Sequence, residues 1–114
     1  NWGEKRQYVK QNRAMETSKE LAMSKVEDQV KEELANAWVK LNENWKQGEI
    51  ANSTLEIARE NLKLNTFSYN EGKLPILDVL SSQATWLQAY TNVVSANYQY
   101  KVAYAEYVRI LGGR

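Results

Sequence analysis

The sequence predicts an all-α protein: a long antiparallel helical hairpin, a coiled coil of unequal helices at about residues 6–70 and 75–111. Three observations carry this. The first part is rich in Ala, Leu, Glu, Lys, Gln and Arg, all strong helix formers. Apolar residues recur in steps of three and four over most of the chain, the heptad signature of a coiled coil. Punctuation is sparse: apart from Gly48 it gathers in Tyr69-Asn70-Glu71-Gly72-Lys73-Leu74-Pro75 and in the closing Gly112-Gly113.

The first helix starts near Arg6 and carries Val26, Val30, Leu34, Ala37, Leu41, Trp45 and Gly48 at those steps. Ala51, Leu55, Ala58, Leu62, Asn65 and Tyr69 continue the rhythm. The turn follows within residues 69–75. Gly72 suits the left-handed conformation that ends a helix, and Asn70 helps to break it. Pro75 suits the first turn of the next helix, where its missing N–H costs nothing. Asp78 then lies where the helix dipole favours a carboxylate, by roughly 0.3–1 kcal/mol. On the second helix Leu80, Ala84, Leu87, Thr91, Val94 and Tyr98 form the expected inward seam. Arg109 complements its far pole and Gly112 stops it. No period-two alternation persists, so no strand is expected. The whole, residues 1–114, reads as one helical-hairpin domain.

Two mismatches show that such a hairpin needs neighbours. At ~1.5 Å per residue the first helix spans roughly 100 Å and the second roughly 55 Å. The second can therefore cover only about residues 34–70, leaving the stretch up to Glu33 without a partner in this chain. An isolated helix of that kind is marginal in water. Each helix also has a second apolar stripe: Ile50, Ile57, Leu64 and Phe67 on the first; Trp86, Tyr90, Val93, Tyr100, Tyr104, Tyr107 and Leu111 on the second. A two-helix hairpin needs one buried stripe per helix. Two stripes call for neighbours on two sides, as in a ring of helices.

Composition excludes whole classes of chemistry. With 114 residues, no His and no Cys, the chain lacks His or Cys metal sites, Ser-His-Asp and Cys-His nucleophile systems, and disulfides. A net charge of +1 is too small for a nucleic-acid binder. No apolar run approaches the ~18 residues of a membrane span. The paired acids Glu27-Asp28 and Glu32-Glu33 sit among Lys25 and Lys31 as a solvated, ion-paired face, not as acid–base machinery. The aromatic rows, with Trp38, Trp45 and Trp86, read as packing surface rather than stacking platforms for bases. The start, Asn1-Trp2-Gly3-Glu4-Lys5-Arg6, has no initiator Met and no apolar signal core, and reads as a piece of something longer.

Tyr69-Asn70-Glu71-Gly72-Lys73-Leu74-Pro75-Ile76-Leu77-Asp78-Val79-Leu80 resembles the Y-x-x-G-x-x-(S/T/P)-x-x-D-V-L signature of TolC-like outer-membrane efflux proteins. Upstream, Leu55-Glu56-Ile57-Ala58-Arg59-Glu60-Asn61-Leu62 is similar to the family's Ala/Glu/Leu-rich helix entering that turn. Downstream, Gln83, Gln88-Ala89, Asn97-Tyr98 and Leu111-Gly112-Gly113 resemble its return helix and L-G-G ending. Gly3-Glu4-Lys5-Arg6 is similar to the stretch following the family's last outer-membrane strand.

The resemblance implies the second-repeat periplasmic part of a homotrimeric outer-membrane channel, whose strands continue into an α-helical tunnel. The family's tip docks a periplasmic adaptor (a membrane fusion protein), and through it serves an inner-membrane pump. Gly72, Lys73, Leu74 and Pro75 fall on that tip. Tyr69 and Asp78 match a Tyr and an Asp that hold or line the closed aperture in the best-known member. The latch Arg position is Leu74 here, beside Lys73, and a second Asp position is Ser81. The polar latch is thus incomplete. The implied function is transport, with no enzymatic step and no cofactor. A competing reading keeps the tip as plain hairpin grammar in a stand-alone coiled-coil interaction module.

Overall fold

A computed structural model describes residues 2–112. They form two helices: α1, Trp2–Asn70, and α2, Ile76–Leu111. No strand occurs among the described residues. The all-α hairpin with its reversal inside 69–75 is what the punctuation predicts. α1 is already helical at Trp2, before the expected start near Arg6, and runs through Gly3 without a break. Gly113, part of the expected L-G-G ending, lies outside the described residues.

The chain divides into two units, one ending at Asn36 and the other beginning at Ala37. In the first, every described residue through Glu33 is exposed, and Leu34 is half-buried. Val26 and Val30 of the predicted seam are uncovered, as the length mismatch implies. The acids at Glu27-Asp28 and Glu32-Glu33 make no ion pair. Among the described residues the salt bridges are Arg59–Glu56 and Arg109–Glu106, both one turn apart.

The second unit holds the hairpin core. The covered positions of α1 run Leu41, Asn44, Gly48, Ala51, Leu55, Ala58, Leu62 and Asn65 in alternating steps of three and four, with Thr66 and Ser68 following toward the turn. Two expected seam residues are displaced by one position. Trp45 and Tyr69 are exposed and Asn44 and Ser68 are half-buried instead: Asn44 keeps the alternation after Leu41, whereas at Ser68 the last step before the turn shortens to three.

On α2 the expectation fails more instructively. Leu80, Leu87, Val94 and Tyr98, taken as the inward seam, are all more than half exposed. The inward row is Val79, Ser82, Trp86, Ala89, Val93, Ala96, Tyr100, Ala103, Tyr107 and Ile110. Four of the seven residues of the second stripe the sequence suggested (Trp86, Val93, Tyr100 and Tyr107) therefore face α1. Tyr90, Tyr104 and Leu111 stay exposed.

The reason is the alternation of size. Large residues recur every seven positions on α2 with Ala or Ser between them. They meet an α1 seam that is itself small at Ala37, Gly48, Ala51 and Ala58, so knobs find holes. Leu55, Ala58 and Ala89 form the buried cluster, with Trp86 and Val93 against it. Further along, Trp45 packs edge-on to Tyr100 at 5.5 Å between ring centres, and Trp38 lies 5.6 Å from Tyr107. The packing role expected for these aromatics is what they perform.

Gly48 is not needed for close approach. A Cβ built there meets nothing within 4 Å, beside a small gap lined by Asn44, Trp45, Asn52, Asn97 and Tyr100. Gly48→Ala is expected to stabilise the chain by about 1 kcal/mol through helix propensity alone. Thermal unfolding of the two proteins checks it, and a lower midpoint for the variant would contradict it.

Candidate functional site

The tip is built by backbone chemistry. Gly72 has φ +74°, the only positive φ among the described residues. Its N–H donates to the Tyr69 carbonyl at 2.9 Å, and the Lys73 N–H donates to the Ser68 carbonyl at 2.9 Å. Those two bonds, one closing on each side of a left-handed glycine, are the Schellman arrangement that satisfies the last carbonyls of a helix. The Glu71 N–H adds a bond to the Phe67 carbonyl at 3.0 Å. The reversal is thus held without any side chain. Space around Gly72 is open, so its demand is conformational and not steric.

Pro75 sits one position earlier than expected. It is the N-cap of α2, extended at φ −71° and ψ 155°, with no side-chain cap. The Asp78 N–H reaches the Pro75 carbonyl at 3.1 Å, which starts the helix in place of a capping side chain. Asp78 lies in the first turn, as its dipole role requires. At the other end Gly112 caps α2, but in right-handed conformation at φ −76°. Nearby, the Arg109 guanidinium hydrogen-bonds Glu106 and holds that carboxyl below its ordinary range.

Gly72, Lys73 and Pro75 are exposed and Leu74 is half-buried, so the tip presents a small surface of backbone, one cation and two apolar side chains. The structure places Tyr69 and Asp78 on opposite sides of the reversal, both exposed. Neither side chain has a hydrogen-bond or ion-pair partner among the described residues. Ser81, at the second aperture position, is exposed as well.

One polar element near the tip escaped sequence reading. Asn65 donates from Nδ2 to Ser82 Oγ, and Ser82 Oγ donates onward to the Asp78 carbonyl at 2.9 Å. Ser82 is the one buried polar residue of the described core. A polar pair inside an apolar seam specifies register more than it stabilises. The signal was Asn65 standing in the α1 seam, but its partner appears only once the α2 seam is known.

The apolar stripes left outside complete the picture. On α1, Ile50, Ile57, Leu64 and Phe67 are exposed; on α2, Leu77, Leu80, Leu87 and Val94 are. Each stripe lies between one and two residues from the rows of its helix's inward seam, its centre about 130° around the axis at 3.6 residues per turn. A helix apolar on two separate sides belongs between two other helices.

Such a hairpin, two-sided along its helices and closed by a side-chain-free turn, is the kind of element from which helical walls are assembled. The family model of the outer membrane efflux protein matches residues 1–113, and the chain belongs to that family. No curated protein and no solved structure matches it. The family is one of outer-membrane transport proteins. No helix among the described residues is long and apolar enough to cross a membrane.

Proposed function

We propose that this chain is the periplasmic tunnel segment of a trimeric outer-membrane efflux channel and that its tip docks a periplasmic adaptor. The reading rests on one observation above all: an exposed, backbone-held turn at Gly72–Pro75 closing a hairpin whose helices are apolar on two sides. The two outward stripes suit neighbouring tunnel helices, and the tip is left for a partner that approaches end-on. Solute leaves by a physical mechanism, in which helices at the tip splay and widen the aperture; no bond is made or broken.

Tyr69 and Asp78 are assigned to the aperture. Both are exposed and unpartnered among the described residues, as residues whose partners lie on neighbouring hairpins would be. With Leu74 and Ser81 at the other latch positions, this aperture relies on fewer charges than the best-known relative.

Site-directed cross-linking tests the reading. Lys73→Cys in the intact efflux protein, treated with a short bifunctional reagent in cells, is expected to capture the adaptor, whereas Arg59→Cys, well up the α1 surface, is not. Equal capture from both positions, or none from Lys73→Cys, would remove the docking assignment.

A further inference from the structure

We propose that the first turns of α1 form a contact surface for an anionic phospholipid bilayer, made by Lys5, Arg6, Lys10 and Arg13 around Trp2. The inference rests on the outer-membrane location of the family and is independent of the tip.

The observation is a juxtaposition. Trp2, Lys5, Arg6, Val9, Lys10 and Arg13 line one shallow groove. Their spacing of three and four places them on one helix face over about 17 Å. Charge is segregated along the unit. Residues 2–13 hold four cations and one acid, and residues 14–33 hold three cations and six acids.

None of the four cations is engaged in an ion pair, although Glu16 follows Arg13 by one turn; the pairs among the described residues lie elsewhere. Charge complementarity therefore asks for an anionic partner.

The apolar members of the face select which one. Trp2 is 85% exposed and Val9 46%, both set among the cations. At a bilayer surface Trp settles at headgroup level while long cationic side chains lay their stems on apolar surface and reach phosphate. A nucleic acid would ask for a strongly basic chain, and this one carries only +1.

Vesicle co-sedimentation tests this with the 114-residue chain. Phosphatidylcholine vesicles with about 30 mol % phosphatidylglycerol are expected to bind it, and pure phosphatidylcholine vesicles are not. Lys5→Gln, Arg6→Gln, Lys10→Gln and Arg13→Gln together are expected to weaken binding roughly 100- to 1,000-fold. The control Lys19→Gln, Lys25→Gln and Lys31→Gln should stay within about two-fold, since those cations stand among acids. Circular dichroism establishes that each variant keeps its helix content, and a charge-preserving Lys/Arg exchange at the four positions should retain binding.

Any of five results would overturn the proposal: no binding to anionic vesicles, unchanged binding by the fourfold Gln variant, equal binding to neutral vesicles, displacement by millimolar inorganic phosphate, or equally tight binding of a duplex oligonucleotide. Each would leave adaptor capture at Lys73→Cys unaffected, so the two readings fail separately.

Discussion

Gly72→Val in the intact efflux protein is expected to cost adaptor cross-linking and export far more than it costs folding. The turn at Gly72 is a Schellman closure with φ +74°, and a β-branched residue there meets about 1–2 kcal/mol of backbone strain. No neighbouring atom lies within 4 Å of the added Cβ, so the cost is conformational and not a clash. The helices on either side retain their seam. The same strain, taken from the population of tips with the right turn shape, corresponds to roughly 5- to 30-fold weaker docking. A fair control is Leu62→Val, a half-buried seam change of about 0.5–1.5 kcal/mol remote from the tip. Both proteins should assemble in the outer membrane, and only Gly72→Val should lose adaptor capture. Equal export by the two would reduce the tip to hairpin grammar.

Truncating the inward and outward leucines separates the two stripes. Leu55→Ala removes a side chain that is 7% exposed and central to the buried cluster with Ala58 and Ala89. It is expected to destabilise the isolated chain by about 2–3 kcal/mol, toward the lower end for buried leucines because no large side chain here is fully buried. Leu87→Ala, at 58% exposure, should cost under about 0.5 kcal/mol in the same measurement. In the assembled protein the order changes for assembly, since Leu87 lies on the stripe assigned to a neighbour. Chemical denaturation of the isolated chain gives the first comparison, and trimer yield the second. Equal destabilisation of the isolated chain would mean that α2 is rotated from the arrangement described.

What the residues determined by themselves is the hairpin: two helices, their lengths, the reversal at Gly72 and the uncovered stretch before Leu34. These are local or one-dimensional properties. Glycine is the residue that takes a left-handed turn without strain, proline suits the start of α2, and a length difference needs no contacts to be counted. The tip candidates were legible for the same reason, because Tyr69, Gly72, Pro75 and Asp78 stand in one short segment.

Which stripe of α2 faces inward was decided only by tertiary packing. Two apolar rows only about 100° apart carry similar heptad signals, and the leucine-rich row holds Leu80 and Leu87. The fold chose Trp86, Val93, Tyr100 and Tyr107 because large residues separated by Ala and Ser interlock with the small seam of α1. The Asn65–Ser82 bond follows from that choice. Residues 17 apart in sequence meet only once both helices have rotated to bring their small positions together.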